Sequence, residues 1–272
     1  MKKLLRTRIH IGLEKPFKLL QITDVHIDDY DENDPEFQVT LTIKRRDTFI
    51  KEGNFAPLNP NQYLDEALTI AEMEQALPVI TGDVYDLNTS GNRGSFRKIA
   101  EKHGFNFMYS PGGHEFQQIC KRTAEEVPPY YENARKTVET AFPELHFDID
   151  SRVVNGVNLI TLDNDQDYFS PAVAAELKRQ LAKGLPTIAF MHDPLNSNAI
   201  KRVSEVKYYV PRTPEEEKAH FEAVELLEKD PHMVAIFSGH AHLESERGQP
   251  GCTREYVTPG LYAGICRMIE ID

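Results

Sequence analysis

The chain has 272 residues, with 31 Lys+Arg against 43 Asp+Glu and a formal net charge of −12. Hydrophobic residues make up 40% and charged residues 27%, a globular balance that excludes a disordered or fibrous chain; the length suits one large domain or two small ones, and a single α/β domain can span residues 1–272. The excess of acid disfavours a nucleic-acid partner, because duplex binding is driven by Lys and Arg releasing counterions.

In chain order, Met1-Lys2-Lys3-Leu4-Leu5 opens like a signal peptide, but Arg6 and Arg8 interrupt it before the roughly 7–15 apolar residues such a segment needs. No later run approaches the roughly 18 apolar residues of a membrane span. Cys120, Cys252 and Cys266 show no tight spacing, so neither a disulfide framework nor a zinc knuckle is expected. These features point to a soluble cytoplasmic protein without a membrane partner.

Apolar runs at 17–23, 77–81, 105–109, 187–191 and 233–237 have the length of buried strands, and each stops at a cluster of Gly, Pro, Asp, Ser or His. A further strand is expected at 157–162, and closing strands at 254–257 and 265–271. Helical periodicity covers about 61–75, with Asn61 as the N-cap candidate, and about 95–103. It returns at about 171–183, between Pro171 and Gly184, and at about 214–229, after Thr213 and with three glutamates in the first turn. Strand–helix alternation of this kind predicts a layered α/β fold. The charged stretch at about 27–60 is the candidate loop insertion or lid. Its acids (Asp28, Asp29, Asp31, Glu32, Asp34) and its basic triplet Lys44-Arg45-Arg46 read as solvated surface.

Open α/β sheets place ligand sites beyond the carboxyl ends of their strands. The strand ends here carry Asp24, His26, Asp83, Asp86, His114, His192, His240 and His242. Five of the ten histidines fall at these ends. Imidazole and carboxylate together form a ligand set for zinc, iron or manganese. Any one of these side chains alone would read as a loop or helix cap; their joint occurrence in this order reads as a metal site.

The order Asp24-x-His26, Gly82-Asp83-x-x-Asp86, Gly112-Gly113-His114-Glu115, a solitary His192 after a strand, and Gly239-His240-x-His242 resembles that of the calcineurin-like metallophosphoesterases. The resemblance implies a four-layer α/β/β/α sandwich with two divalent cations (Mn, Fe or Zn) at one edge of paired sheets. It implies that Asp24, His26 and His242 hold the first cation, that Asp83 bridges, and that His192 and His240 hold the second. His114 would then assist the leaving oxygen, with Asp86 orienting it. The family carries Asn where this chain has Gly113. The second cation is therefore expected to be held weakly, or Glu115 or an Asp of the 27–60 stretch compensates, or the chain binds metal and phosphate without efficient turnover. Asp193 is expected to act on His192 or to form a turn ahead of Pro194.

The expected partner is a small phosphomonoester or phosphodiester, with nucleotides among the candidates; the oligomeric state is left open. Leu87 stands where the family's protein phosphatases carry a phosphate-gripping Arg, and His26 and Tyr85 depart from the purple acid phosphatase pattern. The pattern is most similar to bacterial phosphodiesterases of the cyclic-nucleotide type. A nuclease would want a more basic surface. Arg93, Lys121, Arg122, Tyr208 and Tyr209 are weaker substrate-contact candidates, read first as surface charges or loop anchors.

Overall fold

A computed structural model of the chain describes residues 1–52, 59–116, 127–195, 212–248 and 251–272. Its strands form two sheets. The first contains β1 (Lys3–Ile9), β2 (Phe17–Ile22), β3 (Ala76–Thr81), β4 (Met108–Ser110) and, between β1 and β2, the last strand, β11 (Ile265–Ile271). The second runs in the order β5 (Ile149–Val154), β6 (Val157–Leu162), β7 (Thr187–Met191), β8 (Met233–Ser238), β10 (Arg254–Val257) and β9 (Ser245–Arg247). β2, β3 and β4 are parallel, as are β6, β7, β8 and β10, so their carboxyl ends share a direction within each sheet.

The central strands β2, β3, β6, β7 and β8 are buried on both faces, which is why they read as continuous apolar runs rather than alternating ones. Side-chain alternation still sorts them into layers. Leu19, Val79, Leu159, Ile188, Phe190, Ala235, Phe237 and Ile269 meet between the sheets. Leu20, Ile22 and Ile80 face the other way, onto α2 (Pro60–Glu74), α3 (Ser90–Lys102), the short α4 (Gly113–Phe116) and α5 (Val127–Ala141). Ile160, Leu162, Ala189, Met191 and Ile236 pack on α6 (Pro171–Leu181) and α7 (Pro214–Lys229). Three apolar layers separating helix, sheet, sheet and helix make the four-layer sandwich.

Helix starts follow local chemistry. Ser170 and Thr213 cap α6 and α7 ahead of Pro171 and Pro214. The cap of α2 is Asn59 rather than Asn61, because Pro60 takes the first helical position and Asn59 closes a capping box with Gln62. Asn61 instead donates to Asp29 Oδ2 at 2.5 Å. α3 begins at Ser90, ahead of the expected start, behind the cap Thr89. The third run shortens to β4 because Phe105, after Gly104, adopts a left-handed φ of 52°.

The largest departure lies in the 27–60 stretch, where Glu36–Glu52 forms a helix, α1. Over residues 36–47 its buried side chains, Gln38 and Thr42, are polar, whereas Phe37 and Ile43 are exposed, so the apolar pattern there is inverted. Three of the acids expected to be solvated are engaged. Asp34 accepts the N–H groups of Ser90 (2.6 Å) and Gly91 (3.0 Å) at the start of α3. Asp29 accepts the Ser95 hydroxyl at 2.6 Å, and Asp28 accepts Arg46 Nε at 2.9 Å.

Phe237 is fully buried between the sheets, stacked on Phe190 (centroids 5.4 Å apart) and Tyr256 (5.0 Å). Phe237→Ala is expected to cost about 3–5 kcal/mol, measured by urea unfolding; a loss below about 1 kcal/mol would contradict a close-packed inter-sheet layer.

Candidate metal centre

Beyond the strand ends the backbone keeps zipping. The N–H groups of Asp24 and His26 donate to the carbonyls of Gly82 and Asp83, both at 3.0 Å, and Gly239 donates to His192 at 2.9 Å. Within these turns Asp24, His26, Asp83, His240 and His242 all hold positive φ, between 49° and 61°. Such a conformation costs a non-glycine residue about 1–2 kcal/mol, and its clustering here marks a site where geometry outranks local comfort. The turns also approach closely. A Cβ on Gly82 would sit 2.6 Å from Gly112 N and 2.7 Å from His192 Nδ1, so glycine alone lets them meet.

The side chains singled out in the sequence converge in two linked groups. Asp24, His26 and His242 form one; Asp83, His192 and His240 form the other; His26, Asp83 and His114 link them, and the ligand atoms of each trio lie within 4.8 Å of one another. Asp83 is central. Its Oδ1 accepts the His114 N–H at 3.0 Å, and its Oδ2 lies 3.1 Å from His192 Nε2 and 3.9 Å from both His26 Nε2 and His114 Nε2. Asp24 turns Oδ2 to the His240 N–H (2.9 Å) and Oδ1 to His242 Nε2 (3.1 Å).

Second partners settle which ring nitrogen faces inward. His192 Nδ1 donates to the Thr81 carbonyl and His114 Nδ1 to the Asp86 carbonyl, each at 2.8 Å. His26 Nδ1 lies 3.3 Å from Asp86 Oδ1, and His242 Nδ1 3.2 Å from the Tyr262 hydroxyl. Four rings thus point Nε2 into the centre, with the second nitrogen held by another group as in metal-ligating imidazoles. His240 is the exception, presenting Nδ1 at 3.3 Å from His192 Nε2 and 3.2 Å from Asp193 Oδ1. Asp193 therefore meets His240 directly, acts on His192 through its charge, and accepts the Asp167 N–H at 3.1 Å.

The donor set fits divalent cations on chemical grounds. With its Nδ1 donating to a carbonyl, His192 turns Nε2 toward the Asp83 carboxylate, and the Nε2 atoms of His26 and His242 face each other at 3.2 Å. Acceptor facing acceptor is stable only with a proton or a cation between. Without a cation the protons collect on imidazole: burial opposes charge on His192 and His114, but Asp83 and its neighbours outweigh it, holding His192 well up and raising His114 to about 9. Asp83 stays well below the usual carboxylate range despite burial, through His192 and His114. Burial would raise Asp86 as well, but hydrogen bonds from His114, His26 and Arg45 bring it down.

Glu115 has both oxygens engaged by the backbone turns. One oxygen accepts the N–H groups of Asp83 (3.1 Å) and Gly112 (3.0 Å), the other the Val84 N–H (2.7 Å) and the Tyr109 hydroxyl (3.0 Å). Burial and the nearby Asp83 charge push it up to about 7. Arg93 is a loop anchor, bonded to Asn88. Lys121, Arg122, Tyr208 and Tyr209 lie outside the described residues. The sequence reading missed Tyr262, whose hydroxyl orients His242, and Arg45, which binds Asp86 through two N–H groups. Neither carries a spacing signal; Arg45 stands 41 positions before its partner.

A four-layer α/β/β/α sandwich with linked Asp/His clusters at its sheet edge defines a metal-dependent phosphoesterase. The chain belongs to the calcineurin-like phosphoesterase family, whose sequence model matches residues 17–244. Similar solved structures include a dimetal phosphatase from Danio rerio (TM-score 0.48, 12% identity, 91% of this chain and 88% of that one). Others are TT1561 of Thermus thermophilus (0.46, 13%, 91% and 91%) and a 5′-nucleotidase from Candida albicans (0.46, 12%, 96% and 47%). No curated protein matches the chain. Among the described residues no helix is long and apolar enough to cross a membrane.

Because His192 holds a proton that a cation must displace, metal loading is expected to release protons at neutral pH. Affinity should rise with pH, by about tenfold per unit for each proton displaced. Calorimetric titration of Mn²⁺ in two buffers of different ionisation enthalpy checks this; identical heats in both would contradict it.

Proposed function

We propose that the protein hydrolyses a small phosphomonoester or phosphodiester with two divalent cations. In this reading Asp24, His26 and His242 hold the first, Asp83 serves both, and His192 and His240 hold the second. Asp83 carries the proposal, since its Oδ2 sits among three inward-pointing ring nitrogens. The cations, when bound, supply Lewis acidity and lower the pKa of water toward neutrality.

The chain's own residues supply the rest. His114 keeps its Nδ1 on the Asp86 carbonyl, which leaves Nε2 to carry a proton toward the departing oxygen. Asp86 Oδ1, 3.2 Å from the same Nδ1, favours the charged imidazolium. Proton transfer of this kind is typically worth about 10²–10⁴ in rate. The proton is present below the pKa of His114 and lost above it, so kcat for an ester with a poor leaving group should fall on the alkaline side. That limb should vanish in His114→Ala.

Gly113 offers no side-chain donor, and the engagement of several neighbouring acids supports a site left without a replacement. Glu115 is saturated, while Asp28, Asp29 and Asp34 are engaged in ion pairs, hydrogen bonds and caps. A weaker second cation is the reading this supports. We further infer a cytoplasmic protein, Cys252 and Cys266 being free thiols, with a substrate branch nearest the bacterial cyclic-nucleotide phosphodiesterases and a nucleotide among the candidate substrates.

Protein with added Mn²⁺ should hydrolyse p-nitrophenyl phosphate or bis-p-nitrophenyl phosphate, and Asp83→Asn should lower kcat by at least about 10²-fold. Gly113→Asn should raise metal stoichiometry at limiting Mn²⁺. Fully loaded protein that binds phosphate but turns over neither ester nor a nucleotide panel would favour a binding protein instead.

A further inference from the structure

Arg45 reaches the centre from α1, outside every motif. Its Nη2 donates to Asp86 Oδ1 at 2.7 Å and its Nε to Oδ2. Oδ1 of that carboxylate also lies 3.2 Å from His114 Nδ1 and 3.3 Å from His26 Nδ1. Asp86 is buried, and the partly exposed guanidinium closes its outer side while two imidazoles face its inner side. The terminal torsion of an aspartate is broad, so contacts through one oxygen leave the carboxylate plane free to turn. Two parallel N–H···O bonds from a rigid fork fix that plane, which a lysine ammonium cannot do.

Cohesion does not account for this contact. Over residues 36–47 of α1 the buried side chains, Gln38 and Thr42, are polar, and Phe37 and Ile43 point outward, so this part of the helix gains little from burial. Arg46 already ties α1 to Asp28 at 2.9 Å. Leu87 follows Asp86, so the arginine arrives through space rather than along the chain. We propose that Arg45 is a positioning residue of the hydrolytic site: by fixing the plane of the Asp86 carboxylate it holds His114 where the leaving oxygen departs. This rests on the reading of His114 as proton donor.

The test uses Mn²⁺-loaded protein and a series of aryl phosphates whose leaving phenols differ in pKa, in the ester class it turns over. Arg45→Ala should lower kcat about 10–100-fold for the poorest leaving group and less than about threefold for the best. KM, bound Mn²⁺ per chain and inhibition by inorganic phosphate should not change. Arg45→Lys, which keeps the charge and the fold but not the fork, should show the same dependence in smaller measure. An equal loss across the series would overturn the proposal. So would a raised KM with weakened phosphate inhibition, which would make Arg45 a substrate contact, or a fall in bound Mn²⁺, which would make it a support for His26. His114→Ala is the control for the underlying reading. If its loss does not depend on the leaving group, that reading fails and the proposal with it; if His114→Ala shows the dependence and both Arg45 variants do not, the role of Arg45 alone falls.

Discussion

The structure at the sheet edge turns on one buried carboxylate. Asp83 is 2% exposed, and a charge so placed is tolerable only if every side of it is answered. The His114 N–H answers one oxygen and His192 faces the other, while Glu115 takes the residue's own N–H and its carbonyl accepts from His26. Those partners come from three different turns, His114 and Glu115 sharing the one after β4. Satisfying Asp83 therefore draws the ends of β2, β3, β4 and β7 together, and the left-handed backbone of Asp24, His26 and Asp83 is the conformational cost of that convergence.

Around this centre the protein separates two jobs that acids often share. Asp24 and Asp83 aim oxygens at the ring nitrogens, whereas Glu115 and Asp86 hold other groups in place. Glu115 commits its oxygens to three backbone N–H groups and the Tyr109 hydroxyl, so it acts as a clamp across the Gly82 and Gly112 turns. Asp86 commits its own to two imidazoles and a guanidinium. The geometry of the centre thus depends on residues that need touch neither cation nor substrate.

Much of this was legible in the sequence where a strand's end and a donor coincide. The runs at 187–191 and 77–81 meet β7 and β3 closely because both strands are buried on both faces, leaving uninterrupted apolar stretches. The gathering of Asp and His just past those runs needed no long-range knowledge. α1 was illegible because Gln38 and Thr42 face inward and Phe37 and Ile43 outward, the reverse of the pattern that marks a helix packed on a core. The Asn59 cap could have been found from Pro60, which suits the first helical position. Arg45 and Tyr262 could not, since nothing along the chain ties them to Asp86 or His242.

The place of β11 bears on how the molecule is made. It lies between β1 and β2, parallel to one and antiparallel to the other, so Lys3 pairs with Ile265 and Phe17 with Ile271. Before residues 265–271 arrive, β1 has no partner strand and β2 keeps an open edge. Such edges invite pairing with other chains, and contacts this distant in sequence form slowly. The Tyr262 prop for His242 comes from the turn just before the same strand. A nascent chain with every Asp and His ligand candidate already in place would still lack that prop and a closed first sheet. Closure of the sheet and completion of the centre depend on the same stretch of chain, residues 261–271.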